Sequence, residues 1–506
     1  MSDDSDYEVY DSQDTYYDDG DDMEDILMDD DDEDFRPPPV NAKGKQTDYE
    51  VHYESLTPYQ LQTLIDDDIR HVAAIIGSEP PIVSILLRHF RWNRDRLLDR
   101  FMDSDVADIL RAAGEPEHNA ANSPTTNLTC EICFDTPSPE DTFQLRCHHR
   151  FCRECWWCYV TSKIKDEGQC TFGCMKDGCK TIVDEPSVRA LVDEPCYDRY
   201  RTLIQSSYVT SHPTRLRFCP YPACTSAVSC SNGSGSSLLT LVPTVTCASG
   251  HAFCFGCGMS ESHAPLPCKL AATWQTAARE DQGTAQWIKA NTRNCPKCKN
   301  SIEKGGGCNR MTCRHCSYMF CWMCMRDWNV HGYNNEVCNI WNEPPPDENM
   351  TTASRNLQKW LFYYDHFTNH ELSAQLEGEL YERTAEKIVE MQDKSGISWI
   401  EAQFLRRAVD ELSRCRATLK WTYAMAHFLA QGNKKQMLED IQADLEKAVE
   451  QLAQLIEEPI EEGSVRDLRA RVVDKMVYVQ KRHEVVMKDT AAGLMEGSWD
   501  WDAPLE

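Results

Sequence analysis

The chain has 506 residues, 41% hydrophobic and 26% charged, with 26 cysteines and a formal net charge of −30. It has no apolar run of about 18 residues and no basic-then-apolar N-terminal signal, so no membrane partner is expected and the expected location is the cytoplasm or nucleus. The acidic balance argues against nucleic acid as a partner, because phosphate binding needs a basic footprint. In a reducing compartment, so many cysteines in short pairs with interleaved histidines are expected to bind metal rather than form disulfides.

Residues 1–48 read as an acidic disordered tail. Eighteen Asp and Glu and no Lys or Arg lie between Ser2 and Asp34, and Pro37, Pro38 and Pro39 close the stretch. Such a tail is either solvated or a contact for a basic partner surface. Residues 49–115 read as a compact three-helix module. Thr57-Pro58 has the form of a helix start, Pro80-Pro81 interrupts the pattern, Ile82, Ile85, Leu86 and Phe90 recur at helical spacing, and Trp92-Asn93 opens a third segment with Leu97, Leu98 and Phe101.

Residues 127–182 carry Cys130, Cys133, Cys147, His149, Cys152, Cys155, Cys174 and Cys179. Zinc takes four thiolate or imidazole ligands at tetrahedral corners, and two ligands separated by two residues form one knuckle that fills two corners. The internal Cys-x-His gives the spacing of a RING domain, in which alternate pairs share an ion; an unrelated zinc ribbon is the alternative. One ion is expected on Cys130, Cys133, Cys152 and Cys155, the other on Cys147, His149, Cys174 and Cys179. Residues 183–217 read as a helical linker. Residues 218–268 supply Cys219, Cys224, Cys247, His251, Cys254, Cys257, His263 and Cys268, enough for two more ions taken in sequence, with His251 the least secure ligand. Residues 269–292 read as a second helical linker, with Trp274, Ala278, Trp287 and Ile288.

Residues 293–342 hold Cys295, Cys298, Cys313, Cys316, Cys321, Cys324, His331 and Cys338, two further sites, so six zinc ions are expected in all. One thiol does not fit. Cys308 lies in Gly305-Gly306-Gly307-Cys308-Asn309, between the two ligand pairs of one metal. A surplus cysteine is by default an inert thiol. Cys308 differs because three glycines allow close backbone approach, the knuckles fix its position, and thiols near metals and cations ionise more readily, so a nucleophile is the other reading. Glu343-Pro344-Pro345-Pro346 forms a linker. Residues 350–495 read as a helical bundle, with Leu357, Leu361, Tyr364 and Phe367, then Phe404, Ala408 and Leu412, at spacings of three and four, and with breaks at Gly396, Gly432 and Gly463. Residues 496–506 are a tail, loose from Trp499 onward. The expected fold class is thus multidomain, mostly α, with small zinc-stabilised domains followed by a C-terminal helical bundle.

This order of a RING, an in-between-RING domain and a second RING-like domain resembles the RING-in-between-RING ubiquitin ligases. The strings Asn294-Cys295-Pro296-Lys297-Cys298, Ile302-Glu303-Lys304-Gly305-Gly306-Gly307-Cys308-Asn309 and Phe320-Cys321-Trp322-Met323-Cys324 resemble the Ariadne branch, as do Trp360-Leu361-Phe362-Tyr363, Ser398-Trp399-Ile400-Glu401, Cys415-Arg416-Ala417-Thr418-Leu419 and Gln442-Ala443-Asp444-Leu445-Glu446 in the helical region. The resemblance spans roughly residues 49–500. It implies a ligase whose first RING docks a ubiquitin-conjugating enzyme, with Ile132 in the docking surface. Cys308 would take ubiquitin as a thioester and pass it to a lysine of a protein substrate. All six zincs would be structural, since each site closes with four protein ligands. It further implies that residues 49–115, similar to a ubiquitin-associated-like domain, can bind a neddylated cullin-RING ligase. The helical region would be an autoinhibitory Ariadne domain covering Cys308, with Leu376, Glu439 and Glu450 at the matching contact positions. The family carries phenylalanine where this chain has Leu376.

The sequence departs from the family at three places. Cys247-Ala248-Ser249 stands where the family has Cys-x-Cys, leaving His251 to fill the fourth corner. Arg310 stands where a histidine base is usual, and arginine cannot accept a proton, although its charge would favour a Cys308 thiolate. Met319 stands where relatives can carry glutamate, which leaves His315 as possible support or as a solvated histidine. The alternatives are a RING scaffold ligase that forms no thioester of its own, and a zinc-rich interaction protein that is not an enzyme.

Overall fold

A computed structural model describes residues 50–103, 109, 129–230, 241–281, 292–333, 338–343, 351–395, 403–458 and 465–502. The acidic tail, Trp287 and Ile288, and the breaks at Gly396 and Gly463 lie outside them.

The first helix, α1 (Pro58–Ile76), starts where its sequence says it should. Thr57 accepts from the Gln60 N–H while Gln60 Oε1 accepts from the Thr57 N–H at 2.9 Å, a reciprocal capping box, and proline fills the first helical position. Gly77, at φ 74°, ends it in the left-handed region that glycine enters without penalty. Leu61, Ile65, Ile69 and Val72 form its buried stripe against α2 (Pro80–His89) and α3 (Arg94–Asp103). Each such side chain contributes about 1.5–3 kcal/mol on burial. The prolines at 80 and 81 open α2 and so mark the interruption between it and α1.

This module is not all helix and does not stand alone. A strand, β1 (Tyr53–Leu56), precedes it and pairs antiparallel with β5 (Ala227–Cys230), which also pairs with β4 (Leu216–Phe218) in a three-stranded sheet. Helicity over 49–115 therefore needs correction at its start, as does the helical reading of 183–217 at its end. The module also rests on the long helix Glu194–Ser211. Trp92 Nε1 donates to Ser207 Oγ at 3.0 Å, the Tyr208 hydroxyl to Asp68 at 2.6 Å, and the Arg88 guanidinium to Tyr200 Oη and the Cys170 carbonyl.

The cysteine-rich segments are small two-stranded hairpins. The pairs are Thr142–Gln144 with Arg150–Cys152, Thr244–Thr246 with Ala252–Cys254, β8 (Thr292–Asn294) with β9 (Ser301–Glu303), and β10 (Arg310–Thr312) with β11 (Met319–Cys321). Such hairpins bury too little apolar surface to be stable alone, so cross-linking metals are what their composition calls for. Between them α7 (Cys268–Asp281) carries Trp274, and Thr292, read from sequence as the end of the helical linker, is the first residue of strand β8 instead.

Four long helices follow: α9 (Thr352–Ser395), α10 (Phe404–Phe428), α11 (Asn433–Glu457) and α12 (Val465–Met495). Gly432 is the N-cap of α11. Leu405, Ala408, Leu412, Cys415 and Leu419 of α10 meet Leu445, Val449, Leu452 and Ile456 of α11 in one core. The bundle grips the preceding modules. Trp274 lies 4.5 Å from Trp360 and 5.3 Å from Phe367 between ring centroids, and Lys420 pairs with Glu261 at 2.6 Å. Residues 499–502 of the tail read as loose are anchored, and 503–506 lie outside the described residues. Trp499 is buried with its Nε1 donating to the Thr490 carbonyl, and Trp501 bridges to Leu429.

Candidate active site

The structure brings the cysteine and histidine donors into compact groups. Cys130, Cys133, Cys152 and Cys155 form one, and Cys147, His149, Cys174 and Cys179 the next. Cys219, Cys224, Cys247 and His251 follow, then Cys254, Cys257, His263 and Cys268, then Cys295, Cys298, Cys313 and Cys316. Within each group all ligand atoms lie within 4.8 Å of one another. Sulfur–sulfur separations of 3.7 Å (Cys133–Cys152), 3.7 Å (Cys254–Cys268) and 3.6 Å (Cys298–Cys313) match the edge of about 3.8 Å that a tetrahedron of Zn–S bonds requires. The donor sets therefore fit zinc. Cys338 packs against the thiols of Cys321 and Cys324; the side chain of His331 lies outside the described residues. His251 Nδ1 is 3.4 Å from Cys247 Sγ and 3.6 Å from Cys219 Sγ, and Tyr221 stacks on its ring at 4.3 Å. Ser249 Oγ is 3.6 Å from Cys224 Sγ alone among those four.

Cys308 stands apart from these groups. It lies in the loop between β9 and β10, and although the loop is glycine-rich the residue is only 5% exposed, because the helical bundle covers it. The covering combines the apolar core of the bundle, which Cys308 joins, with a set of charged side chains. One oxygen of Glu450, from α11, accepts from the Asn309 N–H at 2.6 Å, and the other accepts from Arg416 of α10 at 2.7 Å. Arg416 is wholly buried, and it also pairs with Glu377 of α9 at 3.1 Å and donates to the Gly307 carbonyl at 3.1 Å. The glycines permit this approach. A Cβ on Gly307 would stand 2.6 Å from a Glu377 oxygen, and one on Gly306 2.7 Å from a Glu457 oxygen. Lys304, also buried, donates to Asn309 Oδ1, Asn369 Oδ1 and Ser373 Oγ at 3.2, 2.7 and 2.9 Å.

Electrostatics follow from the covering. Burial pushes the Cys308 thiol well above its ordinary value, and the Glu450 charge adds to this, so in this arrangement the sulfur is a thiol and not a thiolate. The Arg310 N–H, 3.3 Å from Sγ, works the other way. Burial lowers Lys304 to about 8 and raises Glu377 despite Arg416. Burial opposes the charge on Arg416 itself, but Glu450 and Glu377 together hold it above its ordinary range.

The residues singled out from sequence fare differently. Glu450 is at the Cys308 loop. Glu439 is not tied to that loop by its hydrogen bond, which it accepts from the Tyr363 hydroxyl at 2.9 Å inside the bundle. Leu376 is half-buried and its neighbour Glu377 makes the contact. Arg310 directs its guanidinium to Met319 Sδ at 3.4 Å, and His315 is exposed on the turn between Cys313 and Cys316. Ile132 is exposed, as are Phe134 two residues on and Trp157 of the same module. Sequence reasoning missed Glu377, Arg416, Lys304 and Asn369. A signal existed for Arg416, since a charge at four residues from Leu412 and three from Leu419 lies in an apolar stripe and must find a buried partner.

Family models match four stretches. The UBA-like domain of E3 ubiquitin-protein ligase ARIH1 matches residues 64–103, the IBR domain (a half RING-finger domain) 198–268, a second IBR domain 290–334, and the Ariadne domain 358–488. The chain is 41% identical over 460 residues to E3 ubiquitin-protein ligase dbl4 of Schizosaccharomyces pombe, covering 90% of each. It is 35% identical to E3 ubiquitin-protein ligase ari-1.1 of Caenorhabditis elegans (91% of this chain, 92% of that one) and 35% identical to E3 ubiquitin-protein ligase ARIH1 of Homo sapiens (90% and 83%).

Proposed function

The chain belongs to the Ariadne family of RING-in-between-RING ubiquitin ligases, and from that premise we propose that it carries ubiquitin as a thioester on Cys308 and is held inactive by its own helical bundle. The observation that carries this reading is the position of Cys308: a sulfur outside the metal groups, on a glycine loop that metal knuckles flank, covered by Glu450, Arg416 and Glu377 of the bundle. A thiol with no metal to hold and a removable cover suits a regulated nucleophile.

The conjugating enzyme docks at the exposed Ile132, with Phe134 and Trp157 adding apolar area. Six zinc ions hold the three small domains. Opening needs a partner that binds the open form more tightly than the closed one. A neddylated cullin-RING ligase engaging the ubiquitin-associated-like domain is the proposed partner, and lysines of protein substrates are the acceptors. Because Arg310 cannot act as a base, the amine's proton leaves to water or to a partner group.

The test compares the full chain with its Glu450→Ala variant in the presence of activating enzyme, conjugating enzyme and ubiquitin. A thiol-sensitive ubiquitin adduct, stronger in Glu450→Ala and lost on Cys308→Ala, is expected. Ubiquitin transfer that survives Cys308→Ala in both backgrounds would instead make the chain a RING scaffold.

A further inference from the structure

The Glu450 carboxylate lies against the Cys308 loop. Its Oε2 accepts the Asn309 N–H at 2.6 Å, and its charge acts on the adjacent Cys308 thiol. A carboxylate beside a nucleophilic sulfur, with one oxygen on a main-chain donor, has the outline of an acyl group under attack. The donor is also free of other duties. The Asn309 carbonyl serves the hairpin, accepting from the Trp322 N–H at 2.8 Å, whereas the strand ladder begins one residue later at Arg310. The N–H after the nucleophile therefore points into the site, and its partner in the closed chain is the carboxylate. The next N–H, that of Arg310, points at the sulfur itself at 3.3 Å.

We propose that the main-chain N–H of Asn309 is the oxyanion donor for acyl transfer at Cys308, and that Glu450 occupies the oxyanion's place in the closed chain. This rests on the thioester reading above. In the first transfer the Cys308 thiolate attacks the carbonyl carbon of the conjugating enzyme's thioester. A C–S bond forms, the carbonyl π pair moves to oxygen, and the oxyanion lies on the Asn309 N–H. Collapse restores the carbonyl and expels the conjugating enzyme's thiolate. In the second transfer a substrate lysine amine attacks the same carbon from solvent. A C–N bond forms, the oxyanion returns to the same donor, the amine loses a proton to water, and Cys308 leaves as thiolate. The Arg310 N–H stabilises the sulfur whenever it is anionic. The two adjacent amides thus divide the two negative charges of the reaction between them. Glu450 blocks the site chemically as well as sterically, since it fills the donor that the transition state needs.

An ester in place of the Cys308–Asn309 peptide bond removes this one N–H and leaves every side chain in place. It is introduced into the full, zinc-loaded chain with and without Glu450→Ala. The readout is the rate of single-turnover transfer from the charged conjugating enzyme to Cys308, divided by the rate of Cys308 alkylation by iodoacetamide. Alkylation passes through no oxyanion, so the ratio cancels any change in sulfur exposure. In the Glu450→Ala chain the ester is expected to lower the ratio by about 10²–10³-fold. An N–H that served only to anchor Glu450 would leave this ratio unchanged in the Glu450→Ala chain, where there is no carboxylate to anchor. An unchanged ratio there overturns the proposal while leaving the thioester reading intact. A peptide-bonded Glu450→Ala chain that forms no thiol-sensitive adduct on Cys308 overturns both.

Discussion

Arg416 and Gly307 meet across the boundary between the helical bundle and the Cys308 loop: a guanidinium with no solvent exposure donates to the carbonyl immediately before Cys308 at 3.1 Å. The same guanidinium holds Glu377 and Glu450, so one side chain gathers the loop and two carboxylates from separate helices. Removing one member of such a buried set leaves its partners charged and unpaired, which costs about 3–5 kcal/mol. Arg416→Met is therefore expected to lower the thermal midpoint of the bundle and to speed alkylation of Cys308. Adding Glu377→Gln to Arg416→Met removes one stranded charge and is expected to recover part of the lost midpoint but not the slow alkylation. An Arg416→Met chain that alkylates as slowly as the parent would show that apolar packing alone keeps the loop covered.

Gly307 and Gly305 offer a matched pair. A Cβ at position 307 would press on Glu377 Oε1 at 2.6 Å and Glu377 Cγ at 3.0 Å, and Glu377 is buried and tied to Arg416, so it has little room to retreat. A Cβ at position 305 would meet nothing within 4 Å. Gly307→Ala is expected to weaken the closed contact by about 1–3 kcal/mol, an overpacking cost. Alkylation of Cys308 should then rise roughly 5- to 150-fold, while Gly305→Ala stays near the parent rate. Equal rates in the two variants would mean that the loop and bundle are not in the contact described.

The in-between-RING site without the family's second Cys-x-Cys thiol gives a prediction about metal content. His251 Nδ1 lies at 3.4 and 3.6 Å from two thiols of its group, whereas Ser249 reaches only Cys224. Neutral imidazole is a good zinc ligand and a serine hydroxyl a poor one. His251→Ala is expected to release one zinc fewer per chain than the parent when all thiols are displaced by a mercurial and the metal is titrated. Ser249→Ala is expected to match the parent. Loss of one zinc from Ser249→Ala instead would reassign the fourth corner.

The five groups whose four donors lie together were legible in the sequence because their physics is local: a knuckle needs two donors at fixed spacing, and a second pair closes the site. Cys308 was legible by the same arithmetic, as the thiol left over inside a closed pair. What covers Cys308 was legible only at Glu450, and by resemblance. Glu377 lies 70 residues from Gly307 and Arg416 lies 109 away, and nothing in either neighbourhood states which loop the bundle will face. The pairing of Tyr53–Leu56 with Ala227–Cys230 was missed for a related reason. A four-residue edge strand carries too short an alternation to be told from the lead-in to a helix, and its partner is set by tertiary contact rather than by turn chemistry. Trp499 was read as loose because it follows the last helix, but an indole with a buried acceptor for its N–H is an anchor wherever it falls in the chain.

The bundle should also be acid-sensitive through histidines that no catalytic role involves. His483 of α12 is buried, with Nε2 2.8 Å from the Thr418 hydroxyl oxygen of α10. Burial, and then the nearby Arg414 charge, lowers it from the usual 6.5 to about 4, while Glu411 and Glu484 act in the other direction. The folded chain therefore keeps this ring neutral at a pH where the unfolded chain protonates it. The sign follows: its contribution to stability is fully present above pH 6.5 and is lost as pH falls from 6.5 towards 4. By pH 5 the loss is about 2 kcal/mol from this residue alone. Replacing it as His483→Gln keeps a hydrogen-bonding side chain and removes the titration. Falling pH also loosens thiolate-bound zinc, but that contribution is common to parent and variant. The drop in thermal midpoint between pH 7 and pH 5 is thus expected to be smaller in His483→Gln than in the parent, and identical drops would mean that this ring reaches solvent before the bundle unfolds.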